Sequence, residues 1–436
     1  MLSETTTIEK AYLYLEDFKG FSARASEWIS FNLSQPLTTL IGPNGSGKSN
    51  LIEALELLDF LAHGGALHET SDLGRNSRME IRGGLQACTT YGKTEFRLGF
   101  KAEIKFEGKL QRVFYELAIN TEKTPEIIRE CLMAGDDWIF INDESDLHTR
   151  TVSYKNFKPG QDPSVQASLQ QSLLFQYKTF ATHMKPEKKQ TCEKLIDNIT
   201  DYFSSFVFDP EPKLMRQYAH LDASPLTKNA ANISAILFTL SKGNKTQRQS
   251  LEHLLSWINQ LPGTPYQDFH FTVTDYNDSM FALIEQNGNK TTARTLSDGT
   301  LRCLALLTKL ETAHPGSRII MDEFDNGLHP SRINMLVSAI DDCCQRRNLK
   351  LIVTTHNPAT LNALSTDQLN GVVLCYQNLE DNGTQLIALS QFPYQQEMLE
   401  RGALGDLVTH QIVDQYLAPN FEKKRQQKAM KWLEDF

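Results

Sequence analysis

The chain has 436 residues, 40% of them hydrophobic and 22% charged, and a formal net charge of −9. That composition fits a globular chain with a large core in two or three structural units, and it excludes a uniformly basic nucleic-acid binder while allowing a local basic groove. No apolar run approaches a membrane span, the start MLSETTTIEK is not a signal peptide, and seven scattered cysteines without a CxxC pair indicate neither a disulfide framework nor a zinc site, which fits a reducing cytoplasm.

From the N-terminus, the alternation over Ala11–Leu15 predicts a strand, followed by a turn at Asp17-Phe18-Lys19-Gly20-Phe21 and a second strand at Trp28–Leu33. Leu37–Ile41 reads as a short buried strand. It runs straight into Gly42-Pro43-Asn44-Gly45-Ser46-Gly47-Lys48-Ser49, a complete phosphate-binding loop. Leu51, Leu55 and Leu58 then recur at helical spacing, and His63-Gly64-Gly65 supplies a glycine C-cap. Met79–Phe106 reads as strands broken at Gly83-Gly84 and Gly92, with one more strand at Val113–Ile119.

From about Thr124 the texture becomes turn-rich and then helical, with helices expected over Val165–Tyr177, Lys188–Phe206, Ile233–Leu240 and Leu251–Leu261, the last closed by Pro262-Gly263. No heptad pattern is sustained long enough for a coiled coil. A hairpin at Phe269–Val273 and Met280–Ile284 precedes alternating strands and helices that imply parallel βαβ units: Arg318–Met321, Ile333–Cys344, Lys350–Thr354, Pro358–Leu364 and Gly371–Tyr376, with Leu386–Leu389 finishing the sheet. The resulting organisation is 1–123, an N-terminal lobe with the glycine loop; 124–285, a mainly helical insertion; 286–415, a C-terminal lobe; and 416–436, a C-terminal helix. The basic stretches Lys185–Lys194 and Lys423–Lys431 read as solvated helix faces, and Cys343-Cys344 as buried residues on a helix.

Four motifs carry chemistry. In the loop Gly42–Ser49, continued by Asn50, backbone N–H groups turn toward the phosphates of a nucleotide, Lys48 reaches the terminal phosphates and the Ser49 hydroxyl can ligate Mg²⁺. Arg318–Met321 ends in Asp322-Glu323, adjacent acids that point in different directions: Asp322 to hold Mg²⁺ and Glu323 to deprotonate a water. Leu351–Thr355 ends in His356, placed to donate to a γ-phosphate. Leu296-Ser297-Asp298-Gly299-Thr300 opens a helix, and reads either as a plain N-cap or as an anion site.

In this order the motifs resemble an ATP-binding-cassette ATPase head, an α/β P-loop fold of two lobes. More narrowly they resemble the soluble RecF, SMC and OLD group and the small ATPases of bacterial anti-phage systems. The resemblance rests on Asp17–Phe21, Leu296–Thr300, the run Asp322-Glu323-Phe324-Asp325-Asn326-Gly327-Leu328-His329-Pro330, Thr354–Pro358 and Leu404-Gly405-Asp406-Leu407, and it is weak in the insertion. It implies ATP and Mg²⁺ as cofactors and a dimer of heads in which Lys48 and Ser49 of one protomer face Ser297 and Gly299 of the other. It also implies that Asp325 and Asn326 communicate between the sites, and that a glutamine loop lies near Gln86. Phe324 replaces the usual proline, and Asp298 sets a carboxylate where transporters have glycine.

OLD-type enzymes append a nuclease to this head, whereas about eighty residues follow His356 here and no nuclease constellation is visible. The expectation is therefore an ATPase and sensor subunit whose effector is supplied in trans. A Septu-type ATPase paired with an HNH nuclease is the nearest match. A RecF-like DNA clamp and a nucleotide-gated scaffold are the other readings, with DNA a possible partner and no membrane involved.

Overall fold

The computed structural model describes residues 7–22, 28–75, 77–106, 109–142, 149–222, 224–261, 265–378, 383–418, 421, 425–426 and 430. The chain divides into two compact units: segments 1–35, 42–205 and 375–386 make the first, and 36–41, 206–374 and 387–436 the second. Most of the expected C-terminal helix and the Pro262-Gly263 stop lie outside the described residues.

The first unit is built on an eight-stranded antiparallel sheet. Its spatial order is Ser164–Ser168, Thr149–Tyr154, Asp137–Asn142, Glu126–Ala134, Lys109–Asn120, Glu95–Phe106, β1 (Thr7–Glu16) and β2 (Ile29–Asn32). Strict alternation drives it: Ala11, Leu13 and Leu15 of β1 are buried, while Lys10, Tyr12 and Tyr14 face outward. Helix α1 (Lys48–Ala62) starts at Gly47, whose φ of 104° suits a residue without a Cβ, and buries Leu51, Leu55 and Leu58. It ends in a Schellman arrangement, with Gly64 at φ 88° and the N–H of Gly65 donating to the Phe60 carbonyl at 2.8 Å.

The expectation of a mainly helical insertion over 124–285 is corrected. Glu126–Ala134, Asp137–Asn142, Thr149–Tyr154 and Ser164–Ser168 are strands that extend the sheet, and helix enters with α2 (Leu173–Phe180) and α3 (Pro186–Phe203), whereas the helices expected further on are present as Ile233–Lys242 and Lys245–Ile258. The stretch expected as a helix over Val165–Tyr177 is thus a strand, a turn and a helix. Likewise, most of residues 81–94 form turns and a short 3-10 helix rather than strands. Buried polar side chains hide the alternation in this region. Glu130 and Arg150 are fully buried and paired at 2.8 Å. Glu130 also accepts from the Tyr115 hydroxyl (2.8 Å), the Ser172 hydroxyl (2.6 Å) and the N–H of Leu173 (2.8 Å), which ties the start of α2 to the sheet. Arg150 donates to the carbonyls of Ser168 and Gln171.

The second unit carries a sheet in which the strand Arg318–Met321 pairs in parallel with Lys350–Thr354, and that strand with β3 (Leu37–Ile41). Val372–Leu374 flanks β3 on its other side. The register sets Met321 beside Val353 and Leu40 beside Thr354, so the C-terminal ends of three parallel strands lie along one edge of the sheet. From that edge the chain leaves β3 directly into Gly42. The core beneath joins Leu304 and Leu307 of the helix Asp298–Thr312 to Ile319, Met321, Leu336, Ile340, Leu351 and Val353. Cys343 and Cys344 are buried on the helix Pro330–Arg347, as their sequence context suggests, and all seven cysteines are free.

Arg150→Met leaves Glu130 charged and unpaired in the interior, and should destabilise the fold by about 3–5 kcal/mol. Adding Glu130→Leu to it should recover much of that loss. Chemical denaturation of the single and double variants reads both outcomes.

Candidate functional site

In the first unit, the glycine loop is shaped by backbone that only glycine accepts easily. A Cβ on Gly42 would lie 2.0 Å from the Cys375 carbonyl oxygen, and one on Gly47 (φ 104°) would lie 2.7 Å from the side chain of Thr384. Cys375 supports the loop from behind, its thiol donating to the Ser46 carbonyl at 3.0 Å, and burial pushes that thiol up to about 11. Gln377 donates to the carbonyl of Gly45. The Lys48 amine folds back onto the carbonyls of Gly42 (2.8 Å) and Pro43 (3.0 Å). The Ser46 hydroxyl is buried and has no hydrogen-bond partner among the described residues. A buried, unsatisfied hydroxyl beside a lysine cradled by loop carbonyls, at the N-terminus of a fifteen-residue helix, fits the phosphates of a nucleotide.

A charged network that the sequence did not reveal grips the outer side of α1. Lys19, in the left-handed region at φ 52°, pairs with Glu53, and so does Arg82 at 2.8 Å. Arg82 also donates to the side-chain oxygen of Asn50 at 3.1 Å. Burial acts to raise the Glu53 carboxyl, but the hydrogen bonds and charges of Arg82 and Lys19 outweigh it and hold the group below its ordinary value. Gln86 lies in a polar pocket of about 360 Å³ lined by residues of 67–75 and 83–86, and Pro125, with none of 42–50 in its wall. The side chain of this segment that reaches the loop's helix is Arg82.

In the second unit, Asp322 and Glu323 follow the strand Arg318–Met321. Both are fixed by one hydroxyl: Thr354 donates its O–H to Asp322 and accepts the backbone N–H of Glu323 at 2.8 Å. Glu323 has φ 47°, an unfavourable backbone for a residue with a long side chain. Its carboxylate pairs with Nε2 of His356 at 2.8 Å, and Asn326 donates to its other oxygen at 3.4 Å. Glu323 and His356 are each a little under half exposed, so water can reach the pair. Asp325, by contrast, is only 5% exposed, and its carboxylate accepts from the hydroxyls of Thr355 and Thr360. The carboxylate of Asp325 is thereby committed to the interior of its own unit, while Asn326 stays on the surface.

The signature segment opens the helix Asp298–Thr312, with the Ser297 hydroxyl accepting the N–H of Thr300 at 3.2 Å. Leu296 is buried beneath it. The carboxylate of Asp298 is paired with Arg216, which also donates to the Leu296 carbonyl at 2.8 Å. Arg332 donates to Thr300 at 3.1 Å, and its guanidinium lies 3.0 Å from where a Cβ on Gly299 would be. The N-cap reading of this segment therefore holds, and two arginines flank it, Arg216 paired with the acid at position 298 and Arg332 bonded to Thr300. Neither arginine stands in a motif, so no local pattern points to them.

Residues 37–362, well over half of the chain, match the family described as "AAA domain, putative AbiEii toxin, Type IV TA system". A chromosome partition protein Smc of Halothermothrix orenii is 28% identical over 127 residues, which are 29% of this chain and only 9% of that relative. Among solved structures, an Smc head bound to the C-terminal winged-helix domain of ScpA is 12% identical, with 87% of this chain and 97% of that one covered and a TM-score of 0.46. An Smc head with an extended coiled coil, bound to the C-terminal domain of ScpA from Pyrococcus furiosus, gives 12%, 91%, 99% and 0.45. With a complete phosphate loop, a parallel sheet ending in acids and this family match, the chain belongs to the AAA family described as putative AbiEii toxins of type IV toxin–antitoxin systems, and its fold is a P-loop ATPase head.

Proposed function

We propose that this chain binds ATP with Mg²⁺, hydrolyses it, and acts as the cytoplasmic nucleotide-sensing subunit of a bacterial anti-phage complex of the Septu type that controls a separately encoded HNH-class nuclease. The observation that carries the ATPase reading is the Glu323–His356 pair, 2.8 Å apart, on acids held by Thr354. These residues stand at the same strand edge from which β3 enters the glycine loop.

The division of labour follows from the groups present. Lys48 and the loop N–H groups bind the β- and γ-phosphates. Ser49 and Asp322 are the residues that would hold Mg²⁺, which when bound neutralises phosphate charge. Glu323 takes a proton from the attacking water, and His356 holds one oxygen of that carboxylate so that the other is turned to its task. As γ-phosphate charge develops, the imidazole would exchange its bond to Glu323 for one to phosphate. The nucleotide state is thereby felt by the segment 354–360, which also carries the two hydroxyls on Asp325.

The regulatory half of the proposal draws on the family's description, since a toxin–antitoxin system works through two components. ATP can bias a partner only through contacts that differ between nucleotide states. Head-to-head association through Ser297 and Gly299 supplies such contacts, and the surfaces proposed for the nuclease are the segment 125–285 and the C-terminal residues. The identity to a chromosome partition protein favours a second reading, an SMC- or RecF-like ATP-dependent clamp in DNA maintenance.

Lys48→Ala should weaken ATP binding, whereas Glu323→Gln should keep binding and slow turnover by ~10²–10⁴-fold. Equilibrium binding and phosphate release measured on the same preparations separate the two, and equal turnover in wild-type and Glu323→Gln protein defeats the assignment.

If the sites are completed between chains, mixing Lys48→Ala with Ser297→Arg protein should restore part of the activity, because one composite site of a mixed dimer stays intact. Absence of rescue despite demonstrated subunit exchange counts against it.

Co-purification with the product of the adjacent gene tests the regulatory role. The expected partner is a nuclease, restrained while ATP is bound and active when ATP is depleted. A chain that protects cells alone favours neither a partner nor restraint.

A further inference from the structure

The outward face of the first unit's antiparallel sheet carries an aromatic cleft. Across β1, Glu95–Phe106 and Lys109–Asn120, the register places Tyr12, Lys101 and Phe114 in one row and Tyr14, Gly99 and Glu116 in the next. Trp28, just ahead of β2, lies over Gly99: a Cβ there would sit 2.4 Å from the indole ring. A glycine inside a strand weakens it, and here it makes room for a large, partly exposed ring. Tyr14 and Trp28 meet edge to face with centroids 6.2 Å apart. Between them and Phe114 opens a cleft of about 360 Å³, completed by Lys101 and Glu116.

Lys101 is the informative member. Its amine lies 4.7 Å from the centroid of Tyr14 and 5.6 Å from that of Phe114, and among the described residues it forms no ion pair. Lys10 and Arg112, 68% and 89% exposed, share a single acid, Glu103, each at 3.9 Å. With exposed Lys105, four cations share this stripe with two carboxylates, Glu103 and Glu116, on a chain whose net charge is −9. The cleft therefore offers aromatic faces next to an ammonium that forms no ion pair among the described residues, with the Glu116 carboxylate also in its wall.

We propose that this cleft binds single-stranded nucleic acid, one unpaired base entering among Tyr14, Trp28 and Phe114 with its phosphate on Lys101, and the neighbouring phosphates along Lys10, Lys105 and Arg112. Ring faces accept any base, and a backbone-tracking row of cations supplies the rest of the affinity. A duplex keeps its base faces stacked on one another and cannot present one to the cleft. Glu116, at the far end, is an acceptor for N–H groups on the edge of the base. The site uses none of the glycine-loop residues, so it stands or falls independently of ATP hydrolysis.

The test uses the full-length chain and a fluorescein-labelled fifteen-nucleotide strand of mixed sequence, followed by anisotropy at low salt. The matching duplex, a free nucleoside monophosphate and an acidic, tyrosine-containing peptide serve as competitors. The single strand should bind and each competitor should be much weaker. Phe114→Ala and Lys101→Glu, checked for folding by thermal melting, should each weaken binding by about tenfold or more, while Lys48→Ala leaves it unchanged. Where a variant does not fold, photocrosslinking of a bromouracil-substituted strand to wild-type protein decides, and the adduct should map to peptides containing Tyr14, Trp28 or Phe114. No binding, equal binding of the duplex or free nucleotide, displacement by the peptide at lower concentration, folded variants that bind as wild type, or crosslinks elsewhere would each overturn the proposal.

Discussion

A single hydroxyl governs the candidate catalytic edge. Thr354 is at once a donor to Asp322 and an acceptor from the backbone of Glu323, so the two acids cannot move apart without breaking one of its bonds. A valine of the same shape would fill the strand equally well and do neither job. The hydroxyl can act in this way only because the parallel register brings the end of Lys350–Thr354 level with the end of Arg318–Met321. The strain at Glu323, with φ 47°, is tolerated because the surrounding bonds over-determine its position. Packing of Ile319, Met321, Leu351 and Val353 beneath holds the register in turn.

Electrostatics then divides the groups into those that are committed and those still available. Asp325, Asp298 and Glu53 are all satisfied inside their own unit, by two threonines, by Arg216, and by Lys19 with Arg82. Glu323 and His356 satisfy one another and remain open to water. An acid whose partners are all internal is structural, whereas an acid whose partner is itself titratable and exposed can change hands during a reaction. That contrast, rather than the presence of acids, separates Glu323 from its neighbours.

The parts of this architecture legible in the sequence are those whose cause is local. The glycine loop, the Gly64 cap of α1, and the apolar strands Arg318–Met321 and Lys350–Thr354 each state their structure within a few residues. Strands Glu126–Ala134 and Thr149–Tyr154 were hidden because their inward positions include Glu130 and Arg150, which read as surface residues until they are seen to neutralise one another. Arg82, Arg216 and Arg332 were hidden for a related reason. Each acts on a motif far away in sequence, and a lone arginine carries no periodic signal. Asp325 was legible as part of a loop, but its burial depended on Thr360, on an element whose position only the fold determines.

The support of the glycine loop by Cys375 and Thr384 has a consequence for synthesis of the protein. More than three hundred residues separate Gly42 and Gly47 from the backbone and side chain against which they are shaped. A chain emerging from the ribosome carries the loop early but lacks its backing until more than three hundred further residues have been made. Contacts of such long range are also the slowest to form once the chain is free. A chain that stops short of Cys375 and Thr384 thus exposes the motif without the contacts that shape it.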